Sequence, residues 1–128
     1  MAHSPSIVPY LTYADPHAAM DFLERAFGLT RVQAMAGEDG ALVHAEMAHG
    51  TGVIMLGQGE AAHGSPGIYL VVEDVDAHHA RAVEAGGDIV YPPEDTEFGT
   101  RRYRARDAEG HEWSFGTYAP ATEPPSWG

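Results

Sequence analysis

Hydrophobic positions along the chain recur with two periods, every second residue and every third or fourth, and the switches between them mark its elements. Residues 7–13 are rich in β-branched and aromatic side chains and predict a strand. Asp15-Pro16 follows, an N-capping side chain with proline at the first helical position. Ala19, Phe22, Leu23, Ala26 and Phe27 then line one helical face until Gly28 ends the helix. Strands are predicted next at 30–36, 41–48 and 52–57, separated by the turn-forming runs Gly37-Glu38-Asp39-Gly40 and His49-Gly50-Thr51-Gly52.

The order then repeats. A polar, glycine-rich stretch at 58–66 leads to a strand at 68–72, a helix capped by Asp74 and ended by Gly86-Gly87, and strands at 88–92, 100–107 and 111–117. At an offset of 59, Tyr10-Leu11 matches Tyr69-Leu70, Asp15 matches Asp74, Ala18 matches Ala77 and Ala26 matches Ala85; at 58, Gly52 matches Gly110. The chain reads as one domain, 1–128, of two strand–helix–strand–strand–strand (βαβββ) modules at 6–57 and 67–118, with an irregular tail at 119–128. Each module covers one sheet face with its helix and leaves the other open. The expected fold is α+β, a concave mixed sheet with the helices on the outside and a ligand-sized concavity shared by the open faces.

Composition narrows the chemistry. No cysteine occurs, which removes disulfides, thiolate metal sites, iron–sulfur clusters and a cysteine nucleophile. No apolar run approaches the ~20 residues of a membrane span, and the first residues lack a signal-peptide core, so a cytoplasmic protein without a membrane partner is expected. Nineteen acidic residues oppose seven basic ones, all Arg, and the net charge of -12 repels a nucleic-acid backbone. The lack of Lys excludes Schiff-base chemistry and a P-loop lysine. Arg101, Arg102, Arg104 and Arg106 read as a strand whose guanidinium groups offset nearby carboxylates or meet an anionic ligand.

The run Val8-Pro9-Tyr10-Leu11 through Asp15, Ala18-Ala19, Phe22 and Phe27-Gly28 resembles the first module of the vicinal oxygen chelate superfamily of glyoxalases, bleomycin resistance proteins and extradiol dioxygenases. Phe98-Gly99-Thr100-Arg101, Tyr103, Arg106-Asp107-Ala108-Glu109-Gly110-His111 and Trp113-Ser114-Phe115-Gly116 are similar to the closing strands of its bleomycin-resistance-like and PhnB-like branch. The resemblance implies small-molecule binding, antibiotic resistance among its forms, by a homodimer with sites near the subunit interface.

It also implies where a metal would sit. Enzymes of the superfamily hold a divalent ion with four His or Glu side chains on the first and last strands of each module. The matching positions here are Val8, Met55, Gly67 and Ser114, so neither metal nor another cofactor is expected. His44 and Glu46, two residues apart on a strand, share a sheet face but have no evident partner pair. His78 and His79 diverge by about 100° on a helix, one against the apolar stripe and the other toward water. His3, His17, His49 and His63 fall near termini, caps or loops and are expected to be solvated.

Strand alternation sorts the remaining positions. Val8, Tyr10, Thr12, Val53, Met55, Gly67, Tyr69, Val71, Glu112 and Ser114 are expected on the open side. Ile7, Leu11, Ile54, Leu56, Ile68, Leu70, Trp113 and Phe115 are expected against the helices. The repeat pairs His44 with Arg102 and Glu46 with Arg104 on the open side, leaving Val43, Ala45, Met47, Tyr103 and Ala105 for the core.

The candidate ligand-binding residues are thus Tyr10, Thr12, His44, Glu46, Met55, Tyr69, Arg102, Arg104, Glu112 and Ser114. Glu46 and Arg104 have the alternative use of pairing with each other. The expected function is metal-free sequestration of an aromatic or cationic small molecule. The alternatives are a metal-dependent enzyme of the glyoxalase or dioxygenase type, and a metal-free lyase or isomerase with Glu46 or His44 as general base.

Overall fold

A computed structural model describes residues 7–60 and 67–120. His3, His63, most of the predicted linker and most of the predicted tail lie outside the described residues. The elements run β1 (Tyr10–Tyr13), α1 (Pro16–Phe27), β2 (Thr30–Ala36), β3 (Leu42–His49), β4 (Gly52–Gln58), then β5 (Ile68–Val71), α2 (Val75–Glu84), β6 (Asp88–Asp95), β7 (Arg101–Arg106) and β8 (Glu112–Gly116). They build two four-stranded sheets, ordered β1-β4-β3-β2 and β5-β8-β7-β6. In each, the first strand lies parallel to the last and the other pairs are antiparallel. The fold is α+β, with two mixed sheets of the same topology.

Two boundaries differ from the expected ones for a backbone reason. β1 begins at Tyr10 rather than residue 7, because Pro9 has no N–H to donate to a ladder. Its carbonyl still accepts from Met55 N at 2.9 Å. β6 runs on to Asp95 through Pro92-Pro93, which an edge strand tolerates, and its register shifts between Tyr91 and Glu94.

Both helices start as their caps dictate. The Asp15 carboxylate accepts from Ala18 N at 3.1 Å and that of Asp74 from Ala77 N at 3.0 Å. α1 buries Ala19, Met20, Phe22, Leu23, Ala26 and Phe27, the stripe its sequence spacing draws. Gly28 stops it with a left-handed φ of 78°, and Arg81 of α2 donates to the freed carbonyls of Arg25 (2.9 Å) and Glu24 (3.0 Å). The two helices therefore pack on each other, on the sides of the sheets away from the open faces.

One core joins the modules. Leu11, Ala45, Met47, Ile54 and Leu56 from the first sheet share a cluster with Leu70, Tyr103, Ala105, Trp113 and Phe115 from the second. Phe27, at the end of α1, reaches the second sheet, its ring 4.8 Å from that of Phe115 and 5.6 Å from that of Trp113. Two expected core residues are outside it. Ile7 is 84% exposed, beyond the start of β1, and Val43 is 60% exposed. The β2–β3 register shifts between Met35 and Ala36, paired with His44 and Leu42, so Val43 sits at a bulge and Leu42 takes the buried place.

Buried polar groups fix how the modules meet. Asp107, 6% exposed, accepts from Tyr13 Oη of the first module at 2.7 Å and from Trp113 Nε1 at 3.0 Å. Its other oxygen holds the β7–β8 turn through Glu109 N and His111 N, both at 3.1 Å. Glu109 reaches back to Ala14 N (2.6 Å) and Asp15 N (2.9 Å), at the entry to α1. His111, also buried, donates from Nε2 to Thr12 O at 2.9 Å and sets its ring edge-on against Tyr13. A similar tie runs the other way, since His49 Nε2 donates at 2.8 Å to the carbonyl of Val71, the repeat counterpart of Thr12, so His49 is not simply solvated. Burial and the neighbouring Asp107 carboxylate raise the Tyr13 phenol far above its ordinary value, which keeps it a donor.

On the helix side, His78 spans the junction. Its Nε2 donates to Phe27 O at 2.9 Å, so Nδ1 accepts from Tyr103 Oη at 2.5 Å. Burial lowers its pKa from the ordinary 6.5.

Replacing Asp107 by Ala strands two buried side-chain donors and frees the turn. It is expected to lower unfolding free energy by about 3–5 kcal/mol in urea titration, against about 1 kcal/mol for Tyr13→Phe. His78 predicts an acid-side loss. Below pH about 6.5 the unfolded chain takes a proton that the folded site resists, so stability is complete above that pH and falls as pH drops toward the lowered folded pKa. Urea midpoints measured from pH 7 to 5 should decline less steeply in His78→Gln than in the parent.

Candidate functional site

Burial alternates along the inner strands β3, β4, β7 and β8, so each sheet carries one face away from the helices. On the first sheet the register places Tyr10 beside Met55, Met55 beside Glu46 and Glu46 beside Gln33. Thr12 beside Gly57 and Met35 beside His44 flank that row. On the second sheet the equivalent row is Tyr69, Ser114, Arg104 and Tyr91, with Arg102 and Glu112 flanking it. The ten candidate residues thus fall into two groups, five on each open face. Among the described residues, their side-chain hydrogen bonds and ion pairs with one another stay within a single sheet.

The chemistry of the two faces differs. On the first, His44 Nε2 lies 2.9 Å from Glu46 Oε2, both side chains half-buried, and Gln33 Nε2 adds a weak contact at 3.5 Å. On the second, Arg104 donates from Nε to Ser114 Oγ at 2.9 Å and faces Glu112 at 3.5 Å. Arg102 meets Glu94 at 3.2 Å, and the Tyr91 ring lies 5.6 Å from the Arg104 guanidinium and 5.8 Å from that of Arg102. Glu46 and Arg104 do not pair: each is engaged on its own sheet. The four-arginine strand offsets carboxylates, as Arg101 meets Asp76 and Asp95 at 3.0 Å and Arg106 meets Asp88 at 3.5 Å.

The least expected feature is a tyrosine laid over a glycine in each sheet. A Cβ at Gly57 would stand 2.0 Å from Tyr10 Oη, and one at Gly116 would stand 2.6 Å from Tyr69 Oη. Each ring therefore lies across its sheet over the only residue type that leaves room for it. Tyr69 Oη also donates to Tyr118 O at 2.8 Å. A flat aromatic ring held in this way offers a stacking surface. The signal was present in the sequence, since Gly57 and Gly116 stand at the same offset of 59 as the two tyrosines. Tyr91 and Gln33 gave no such signal.

The family model of the Glyoxalase/Bleomycin resistance protein/Dioxygenase superfamily matches residues 6–115. The chain belongs to this superfamily. An uncharacterized protein of Mycobacterium bovis is 33% identical over 125 residues, covering 88% of this chain and 82% of that protein. TioX from a Micromonospora strain is 35% identical, with a TM-score of 0.75 over 93% of this chain and all of that one. FosX of Listeria monocytogenes, a fosfomycin resistance protein solved with Mn(II) and sulfate, shares the fold at 14% identity, with a TM-score of 0.73 over 91% of this chain and 94% of that one.

The resemblance puts the four metal-ligand positions of the superfamily's enzymes at Val8, Met55, Gly67 and Ser114. Val8 and Gly67 have no donor atom, Met55 offers a soft thioether, and the Ser114 hydroxyl already accepts from a guanidinium. This set does not fit a hard divalent ion. Among the described residues, no three His, Asp or Glu side chains gather to hold one elsewhere.

Gly57→Ala tests the tyrosine platform. The residue has no left-handed φ and the clash is with the far end of an exposed side chain. Unfolding free energy should change by less than about 1 kcal/mol, while the Tyr10 ring resonances shift in the NMR spectrum as the ring leaves the sheet.

Proposed function

We propose that this superfamily member binds a flat aromatic or cationic small molecule on its open sheet faces, without a metal or other cofactor, as a homodimer in which those faces are covered. The observation that carries the reading is the pair of tyrosines, both exposed among the described residues, seated over Gly57 and Gly116. Tyr10 leaves 55% of its surface to solvent, beside the apolar Met55. A ring stacked there would bury area that the isolated chain exposes. Glu46 and the net charge of -12 support a cationic group on the ligand.

A second reading draws on the His44–Glu46 contact. A carboxylate hydrogen-bonded to an imidazole on a binding face has the makings of a general base, and would suit proton abstraction in a metal-free lyase or isomerase. Antibiotic sequestration belongs to the first reading, as one use of such a binding surface.

A calorimetric screen of aromatic and cationic compounds against the purified protein, with its metal content measured on the same sample, tests the proposal. Tyr10→Ala is expected to weaken a binding compound at least tenfold, about 1.4 kcal/mol, with no stoichiometric metal bound. Affinity that is indifferent to Tyr10 and Tyr69, or a full equivalent of divalent metal, contradicts it. Turnover that Glu46→Gln abolishes while binding persists selects the second reading.

A further inference from the structure

A groove of about 480 Å³ opens beside the second sheet's platform, lined by Tyr69, Phe98, Tyr118, Arg101, Arg102 and the hydroxyl-bearing Thr96 and Thr100. Its volume falls within the few hundred to ~1,000 Å³ typical of small-molecule sites. Three of its lining residues are aromatic, and hydrogen bonds hold the backbone that carries them.

Tyr69 is pinned between Gly116 beneath it and its hydrogen bond to Tyr118 O, which also ties down the segment carrying the Tyr118 ring. Phe98 is 82% exposed at the tip of the β6–β7 turn. That turn is stapled. Thr96 Oγ1 accepts from Phe98 N at 3.2 Å and meets Thr100 Oγ1 at 2.7 Å, while Thr96 N donates to Thr100 O at 2.8 Å. A phenyl ring set out in water on a bonded turn is a standing hydrophobic cost that an occupant of the groove would remove.

The cations at the rim are already engaged. Arg101 donates to both oxygens of Asp76 and to Asp95, and Arg102 to Glu94. Neither offers an uncompensated charge to a ligand.

We infer that the groove takes an uncharged, planar, fused-ring compound, stacked on Tyr69 and covered by Phe98 and Tyr118. The inference narrows the binding reading above to one ligand class and one sheet. It rests on that reading, because Tyr69 and Arg102 belong to both.

Phenazine, the cation N-methylphenazinium and the anion phenazine-1-carboxylate, offered to the full chain in equilibrium dialysis, separate the possibilities. Phenazine should bind at least tenfold more tightly than either charged analogue, against the general pull of an acidic protein on the cation. Phe98→Ala should weaken phenazine at least fivefold and leave the circular dichroism spectrum unchanged, while Val32→Ala, on the exposed β2 strand, should leave the affinity unchanged. A preference for either ion, or no binding of all three, overturns the inference. Loss of binding in Tyr10→Ala with none in Phe98→Ala overturns it while sparing the broader reading. Dissociation of a dimer by Phe98→Ala, with phenazine unbound, overturns it in favour of a second copy as the occupant.

Discussion

The buried carboxylate of Asp107 is the constraint on which the arrangement of this protein depends. A charged group that excludes nearly all water survives only if its lone pairs are filled. Tyr13, Trp113 and the two turn amides fill them, and because Tyr13 belongs to the other module, satisfying the charge fixes the junction. Glu109 extends the same tie to the first amides before α1. The apolar core supplies most of the driving force for association of the modules, and the hydrogen bonds of Asp107, His111 and His78 add direction to it.

That junction decides which surfaces can work. With α1 and α2 packed on each other and Phe27 inserted against the second sheet, the helix-covered faces are consumed by the shared core. The opposite faces are left for other contacts. They repeat one plan, a tyrosine over a glycine beside a polar row, with different occupants: Met55 and Glu46 on one sheet, Ser114 and Arg104 on the other. The duplicated scaffold keeps the platform and varies the chemistry placed next to it. At Ser114, a position that the resemblance assigns to a metal ligand, the hydroxyl serves a guanidinium.

Much of this was legible in the sequence because it is local. Asp15 and Asp74 cap the two helices, the three-and-four spacing from Ala19 to Phe27 draws the buried stripe, and the offset of 59 pairs Tyr10 with Tyr69. What escaped the reading depends on long-range or backbone detail. Pro9 shortens β1 and leaves Ile7 in water, and a bulge turns Val43 outward. Glu46 finds His44 two residues away, because its counterpart Arg104 stands on the other sheet. Asp107 reads as an ordinary turn residue until the fold places Tyr13 above it. The stretch of four arginines, prominent in the sequence, resolves into a strand that balances the carboxylates around it.

The claim that the open faces, and not the helix faces or the module junction, receive the ligand is tested most directly by amide chemical-shift mapping during titration with a compound that binds. Shifts should concentrate in the strands around one or both tyrosines, Tyr10 and Met55 on the first sheet or Tyr69 and Ser114 on the second, with α1 and α2 unmoved. Shifts centred on α1, α2 or the Asp107 turn, with the strands around both tyrosines silent, would contradict the account.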